Sequence, residues 1–167
     1  MSMFQDVRDH VKDETDMGEL LDYMRLIRDK KAGDGSGKIY GLGHAVYTVS
    51  DPRSVLLKKY ARDMAHEKGF DRDFALMEAI EEQGLIALNE KYSAKKVMCA
   101  NVDMYSGLVY QMLGIPEELF TPLFAIARTA GWCAHRMEEI ISGGRIIRPG
   151  YKTVSPNQMY VPAAERG

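Results

Sequence analysis

The apolar residues of this chain recur at intervals of three and four, which is the spacing of an amphipathic helix rather than of a strand. Residues 16–31 show this spacing most clearly, because Met17, Leu20, Met24 and Ile27 fall on one helical face. No segment alternates apolar and polar residues over the length of a half-buried strand. The pattern therefore predicts an all-α protein without internal repeats.

Capping signals frame a second helix. Asp51 is a candidate N-cap, Pro52 suits the first helical position, and Gly69 is the expected stop. The predicted buried stripe of this helix consists of Val55, Leu56, Tyr60, Met64 and Ala65.

Three further helices are predicted after Gly69. One covers residues 72–91, a shorter one closes at Gly114, and the last runs from Pro116 to the glycine pair at 143–144. The tail from residue 145 contains three prolines and few apolar residues, and we expect it to be extended.

Composition and charge exclude several classes of protein. Apolar residues make up 46% of the chain and charged residues 28%, a balance that indicates a globular rather than a disordered protein. The net charge of -2, without a long basic block, argues against nucleic acid as a partner. Polar residues interrupt the most apolar run, 119–134, so no membrane span is expected, and the lack of a leader pattern favours a cytoplasmic protein. Cys99 and Cys133 have no partner cysteines, so neither a disulfide framework nor a metal site is expected.

The segment KIYGLGHAVYTVSDPR, residues 38–53, carries a glycine turn that we compared with phosphate-binding motifs. A Walker A loop needs four residues between its first glycine and Gly-Lys, but Gly33 and Gly37 enclose only three. The glycines at 41 and 43 lack the third glycine of a dinucleotide-binding loop, because that position holds Val46. Both motifs are therefore excluded.

The residues of the turn are compatible with two interpretations, and the first is a ligand-binding turn. Glycines allow a backbone to approach a ligand closely, and the N–H groups of such a turn can bind an anion or a carbonyl oxygen. His44, at the end of the turn, could then exchange protons near neutral pH. The alternative is a simple connection between helices in which His44 is hydrogen-bonded to the backbone.

Two charged residues occur in apolar surroundings. Arg128 lies in a segment that is apolar on nearly every face, so we expect a buried guanidinium that pairs with a protein carboxylate or grips a bound dicarboxylate. Asp103 is either the N-cap of the short helix or a carboxylate whose pKa is raised by apolar neighbours and which acts as a base. Arg148, in the tail, is interpreted on its own as a solvated surface charge.

Three segments together resemble the citrate synthase family. YGLGHAVYTVSDPR resembles the signature around the family's second catalytic histidine, and NVDMYSG resembles the segment with the catalytic aspartate. LFAIARTAGWCAHRMEE, followed by IIRP, is similar to the C-terminal helix and the closing arginine segment. The resemblance runs in order from about residue 3 to residue 152.

The resemblance implies a condensation of acetyl-CoA with oxaloacetate through an enol intermediate. Asp103 would remove a methyl proton from the thioester, and His44 would hydrogen-bond the oxaloacetate carbonyl. Arg53 and Arg128 would bind substrate carboxylates, and Arg148 would reach the site of a neighbouring subunit in a homodimer or larger oligomer.

The resemblance also assigns the thioester site. The turn that approaches coenzyme A would consist of Lys38, Ile39, Tyr40, Gly41, Leu42 and Gly43. Lys96 lies where the family often has a basic residue near the phosphates of coenzyme A. Coenzyme A enters here as a substrate, and no tightly bound cofactor is implied.

One departure from the family concerns the start of the chain. The His-Gly-Gly segment with the first catalytic histidine, and the large-domain residues before it, are not in this sequence, so we expect a C-terminal portion of the enzyme with little activity alone. Residues 1–114 would be the small domain, incomplete at its N-terminus, and residues 115–167 a large-domain helix and extended tail. A 2-methylcitrate synthase and a non-catalytic helical domain that binds coenzyme A or dimerises are the alternative functions.

Overall fold

The computed structural model describes residues 2–45, 47, 50–92, 98–143, 162 and 165. Six α-helices and one 3-10 turn form the described part of the chain. The helices are α1 (Ser2–His10), α2 (Met17–Arg28), α3 (Pro52–Lys68), α4 (Asp71–Tyr92), α5 (Asp103–Met112) and α6 (Phe120–Ser142), with the turn Glu117–Leu119 before α6. The extended pairing in these residues is an isolated antiparallel bridge between Leu42 and Ala100. The all-α prediction is confirmed.

Local capping chemistry sets the helix ends close to their predicted positions. The Asp51 side chain accepts a hydrogen bond from the backbone of Arg53, Pro52 opens α3, and Gly69 ends it in the left-handed conformation. The Asp16 side chain caps α2 in the same way, at Gly18 and Glu19. Helix α1 was not predicted, although it buries Phe4 and Val7. The predicted tail from residue 145 lies almost entirely outside the described residues.

Contacts divide the chain into two compact units, Met1–Phe124 and Ala125–Gly167. In the first unit, α2 packs along α4, while α3 packs on α5 and α4. Large apolar side chains fill the centre of this unit, and those most completely buried are Leu20, Met24, Ile27, Ile80, Tyr105 and Leu108. The division falls within α6, later in the chain than the boundary at 114/115 proposed for the family's domains.

The buried face of helix α3 agrees with the predicted one only in part, at Met64 and Ala65. Its buried residues are the small Ser54, Ala61 and Ala65, whereas Val55, Leu56 and Tyr60 are exposed. Small side chains let a helix lie close to its neighbours, so α3 presents them to α4 and α5. Leu57 and Met64 are half-buried against the core, whereas Val55, Leu56 and Tyr60 face outwards. The predicted stripe is therefore wrong for these three residues.

The prediction of a buried α6 is also wrong. No residue of this helix is buried, and Ile126 and Trp132 are 68% and 57% exposed. Arg128 is exposed as well, so it is not a guanidinium enclosed in an apolar interior. Periodicity indicates that a helical face is apolar, but not that another element covers it. None of the described helices combines the length and apolar character that a bilayer-spanning helix needs.

A glycine inside α4 brings the helix into contact with the glycine turn. A Cβ at Gly84 would lie 2.6 Å from Cδ1 of Leu42 and 3.2 Å from Cγ2 of Ile39. Glycine costs a helix interior about 1 kcal/mol relative to alanine. That cost is offset here, because the turn can rest directly on the helix at this point.

Candidate active site

The glycine turn is held against the segment that leads into α5. The backbone N–H of Gly43 donates to the carbonyl of Cys99 at 2.7 Å, and that of Asn101 donates to the carbonyl of Gly41 at 2.8 Å. The bridge between Leu42 and Ala100 lies between these bonds. The turn with His44 and the segment with Asp103 are therefore neighbours in the fold, although they are distant in sequence.

Asp103 is the first residue of α5 and is exposed. The N-cap position belongs to Val102, which makes no side-chain cap bond, and the backbone N–H of Asp103 donates instead to Oδ1 of Asn101 at 2.9 Å. Asp103 is thus not the capping residue, and it is not enclosed by apolar neighbours; its role as a base stays a prediction. Its carboxylate is open to a ligand.

His44 is oriented by its own turn. The backbone N–H of Tyr47 donates to Nδ1 of His44 at 3.0 Å, and the two rings lie 4.6 Å apart between centroids. Because an N–H can only donate, Nδ1 acts as the acceptor in this bond. The bond fixes one edge of the ring against the turn and leaves Nε2 on the side of Arg53.

Arg53 lies beside His44 and is held by Asp51. Its Nε donates to Oδ1 of Asp51 at 3.0 Å, and a terminal nitrogen donates to Oδ2 at 2.8 Å and lies 3.4 Å from Nε2 of His44. The Asp51 carboxylate raises the pKa of Arg53, and the negative charge of Asp103 adds to this effect. Hence His44, Arg53 and Asp103 interact within one region of the first unit.

Asp51 is a functional candidate that sequence reasoning treated only as a helix cap. It is 1% exposed, and its hydrogen bonds to Arg53 lower its pKa to about 2 despite its burial. The spacing Asp-Pro-Arg is the signal for this second role, since a residue two positions after an N-cap can turn its side chain back to the cap carboxylate.

Asp51→Asn is expected to lower the melting temperature at neutral pH, because it removes the charge that Arg53 pairs with. The pKa of the Asp51 carboxyl is lowered in the folded state. The stability that this carboxylate contributes is therefore complete above the ordinary pKa of 3.8 and is lost as the pH falls through about 2. Thermal unfolding between pH 7 and pH 2 measures this. The difference in melting temperature between Asp51→Asn and the native chain should shrink below about pH 4. Asp63→Asn, an exposed change on the same helix, should leave the melting temperature unchanged.

A cleft of about 790 Å³ opens beside the glycine turn and Asp103. The glycine turn from Lys38 to Leu42 lines it together with Asn101 and Asp103, and Leu88, Lys91 and Tyr92 of α4 contribute to the lining as well. It thus combines two lysines, two half-exposed tyrosines (Tyr40 and Tyr92) and a carboxylate. Such a lining can bind an elongated ligand that has anionic and aromatic groups and a reactive end near the carboxylate.

The predicted site residues differ in where they lie. The turn residues Lys38–Leu42 and Asp103 line the cleft, while the side chain of Ile39 also belongs to the core. Gly43 is joined to this region by its hydrogen bond to Cys99, and Arg53 lies beside His44, the residue after Gly43. Arg128 belongs to the second unit, and Lys96 and Arg148 lie outside the described residues. In the part of the chain that the structure describes, no group of three or more His, Cys, Asp or Glu side chains could hold a metal ion.

Comparison with known proteins identifies the family. Residues 1–150 match the family described as citrate synthase, C-terminal domain. The chain is 43% identical over 130 residues to citrate synthase from Synechocystis sp.. This alignment covers 77% of this chain and 31% of that protein. It is 38% identical over 168 residues to 2-methylcitrate synthase from Shewanella oneidensis, which covers 99% of this chain and 39% of that protein. The chain therefore spans about a third of the length of these relatives.

Solved structures show the same relationship. Citrate synthase from Thermoplasma acidophilum, in a ternary complex with carboxymethyl coenzyme A and oxaloacetate, superposes with a TM-score of 0.62 at 29% identity, covering 99% of this chain and 42% of that one. Citrate synthase from Pyrobaculum aerophilum gives a TM-score of 0.63 at 32% identity, covering 99% and 39%. On the sequence match and the shared fold, this chain belongs to the citrate synthase family.

Proposed function

We propose that this chain forms the thioester-binding part of a citrate synthase-type enzyme, which condenses acetyl-CoA with oxaloacetate. The observation that carries the proposal is the cleft of about 790 Å³, in which the glycine turn and the carboxylate of Asp103 occur together. The relative from Thermoplasma acidophilum, which shares this fold, binds a coenzyme A derivative and oxaloacetate.

The cleft suits coenzyme A chemically. Lys38 and Lys91 would pair with its phosphates, and the rings of Tyr40 and Tyr92 offer stacking surfaces for adenine. The backbone of the turn would contact the base edges. The thioester end would then lie towards Asp103, which is exposed and therefore accessible to a methyl group.

The reaction follows from the groups near Asp103. Its carboxylate would take a proton from the methyl carbon of acetyl-CoA, and the resulting enolate carbon would attack the keto carbon of oxaloacetate. Water would then hydrolyse the thioester of the condensation product and release coenzyme A. The Nε2–H of His44 would donate to the keto oxygen and stabilise the negative charge that develops on it. Arg53 would bind a carboxylate of oxaloacetate, with Arg128 and, from a second subunit of a dimer, Arg148 as further partners.

A 2-methylcitrate synthase is the second candidate, because the relative from Shewanella oneidensis aligns with 99% of this chain. Such an enzyme accepts propionyl-CoA in place of acetyl-CoA. A non-catalytic domain that binds coenzyme A is the remaining alternative, and it would bind without any influence of oxaloacetate.

We expect this chain to bind acetyl-CoA, and Lys38→Ala to weaken the affinity roughly tenfold, because the substitution removes a cation from the mouth of the cleft. Calorimetry with acetyl-CoA, with and without oxaloacetate, measures this. Lys59→Ala, which removes an exposed lysine from α3, is the matched control and should change nothing. If the native chain shows no binding at millimolar acetyl-CoA, the proposal is wrong.

A further inference from the structure

One asparagine joins the two segments that carry the proposed reacting groups. Nδ2 of Asn101 donates to the carbonyl of Gly43 at 2.8 Å, and Oδ1 accepts from the backbone N–H of Asp103 at 2.9 Å. Its backbone N–H donates to Gly41 at 2.8 Å, and its backbone carbonyl accepts from Met104 at 3.1 Å. All four polar groups of this residue are therefore hydrogen-bonded, two to the glycine turn and two to the start of α5.

We propose that Asn101 is a positioning residue, which sets the distance between the turn with His44 and the carboxylate of Asp103. The inference rests on the proposed function for the roles of His44 and Asp103. Asn101 contacts the backbone next to each group. On one side it bonds Gly43, which directly precedes His44. On the other side it bonds Asp103, the first residue of α5, where Val102 provides no side-chain cap. The side-chain amide of Asn101 thus connects these two backbones directly.

The role requires an asparagine specifically. An aspartate keeps an acceptor for the N–H of Asp103 but cannot donate to Gly43 while it is ionised. A serine is shorter and carries one oxygen for two separate bonds, and a glutamine is longer by one methylene. Alanine removes both bonds. Because each end of the amide has a different partner, the two bonds can be tested separately by substitution.

Asn101→Asp is the decisive variant. At neutral pH the introduced carboxylate faces the carbonyl oxygen of Gly43 without a proton between them, so the turn should move away while the bond to Asp103 persists. When that carboxyl is protonated, its hydroxyl can donate to Gly43 and restore the connection. We therefore expect the defect at pH 7 to shrink as the pH falls and to be largely reversed at about pH 3, about one unit below the usual pKa of an aspartate.

The measurement is the affinity for acetyl-CoA and for coenzyme A, each relative to the native chain at the same pH. Loss of one hydrogen bond should reduce the acetyl-CoA affinity roughly 3- to 10-fold at pH 7. The ratio of the two affinities separates positioning from folding, because a less stable chain loses both ligands equally. A displaced Asp103 changes the environment of the acetyl group and therefore the ratio. Asn89→Asp, the same charge change on the exposed side of α4, is the control and should leave both affinities unchanged.

Two results would overturn the proposal. One is native affinities in Asn101→Asp at pH 7, and the other is an equal loss for both ligands that acid does not reverse. Amide hydrogen exchange in the ligand-free chain distinguishes a failure of this proposal from a failure of the proposed function. Asn101→Ala should remove protection from the N–H of Asp103 and Asn101→Asp should retain it, whether or not the chain binds acetyl-CoA. Loss of that protection in both variants, or in neither, would contradict the two-ended role.

Discussion

Alanine at position 41 should destabilise the chain far more than alanine at position 35. Both glycines have a positive φ, +87° for Gly41 and +71° for Gly35, which costs an alanine about 1–2 kcal/mol. At Gly41 the new Cβ would also lie 2.7 Å from Sδ and 2.8 Å from Cα of Met104, whereas at Gly35 nothing lies within 4 Å. The Cα belongs to the backbone of α5 and cannot rotate away, so the overpacking should add about 1–3 kcal/mol.

Urea denaturation measures how much unfolding free energy each variant loses relative to the native chain. The larger loss, about 2–5 kcal/mol in total, is a substantial part of the 5–15 kcal/mol that is typical of folded proteins. Since Gly41 also lines the cleft, the variant that still folds should bind acetyl-CoA more weakly than Gly35→Ala. Equal losses of stability at the two positions would mean that α5 moves away from the turn at little cost.

A polypeptide of these 167 residues should release coenzyme A from acetyl-CoA and oxaloacetate at least about 10²–10³ times more slowly than a full-length citrate synthase, which is the typical effect of losing one preorganised donor. The chain corresponds to 31% of the Synechocystis enzyme, and Asp103 is exposed to water. Stabilisation of a developing alkoxide depends on fixed donors around it and on the exclusion of solvent. This part of the site supplies some of those groups without enclosing the substrate.

Detection of the released thiol measures this turnover. Asp103→Asn provides the background, because it removes the proposed base while it keeps the size of the side chain. A rate in the native chain close to that of a full-length enzyme, and abolished by Asp103→Asn, would show that the residues present here suffice for the reaction.

Capping residues were predicted well because their chemistry is local. The limits of α3 follow from Asp51, Pro52 and Gly69 alone, and the structure places the helix between them. The same holds for α5, which stops just before Gly114. Such signals need no knowledge of the rest of the fold.

Burial was predicted less well because it depends on neighbours. The apolar spacing of α3 indicated five residues, of which Met64 and Ala65 pack against the core while Val55, Leu56 and Tyr60 are exposed. The apolar character of α6 indicated a buried Arg128, yet no residue of α6 is buried. Periodicity shows that a face is apolar; it does not show which element covers that face.

The site itself was predicted in part. The motifs indicated the turn and Asp103, and the structure brings both into one cleft. The bond between the Asn101 side chain and Gly43 was missed, since no spacing rule links residues 58 positions apart. The pairing of Arg53 with the buried Asp51 was missed for another reason: a helix cap already explained that aspartate.

That separation of 58 residues governs when the site can form. The bonds between the turn and the start of α5 close a long loop, and the entropy lost in closing a loop rises with its length. Helices α3 and α4 lie inside this loop, so their folding and packing shorten the effective distance that remains to be closed. During synthesis, the turn emerges from the ribosome long before its partner segment, and the cleft can be completed only after residue 103 has emerged.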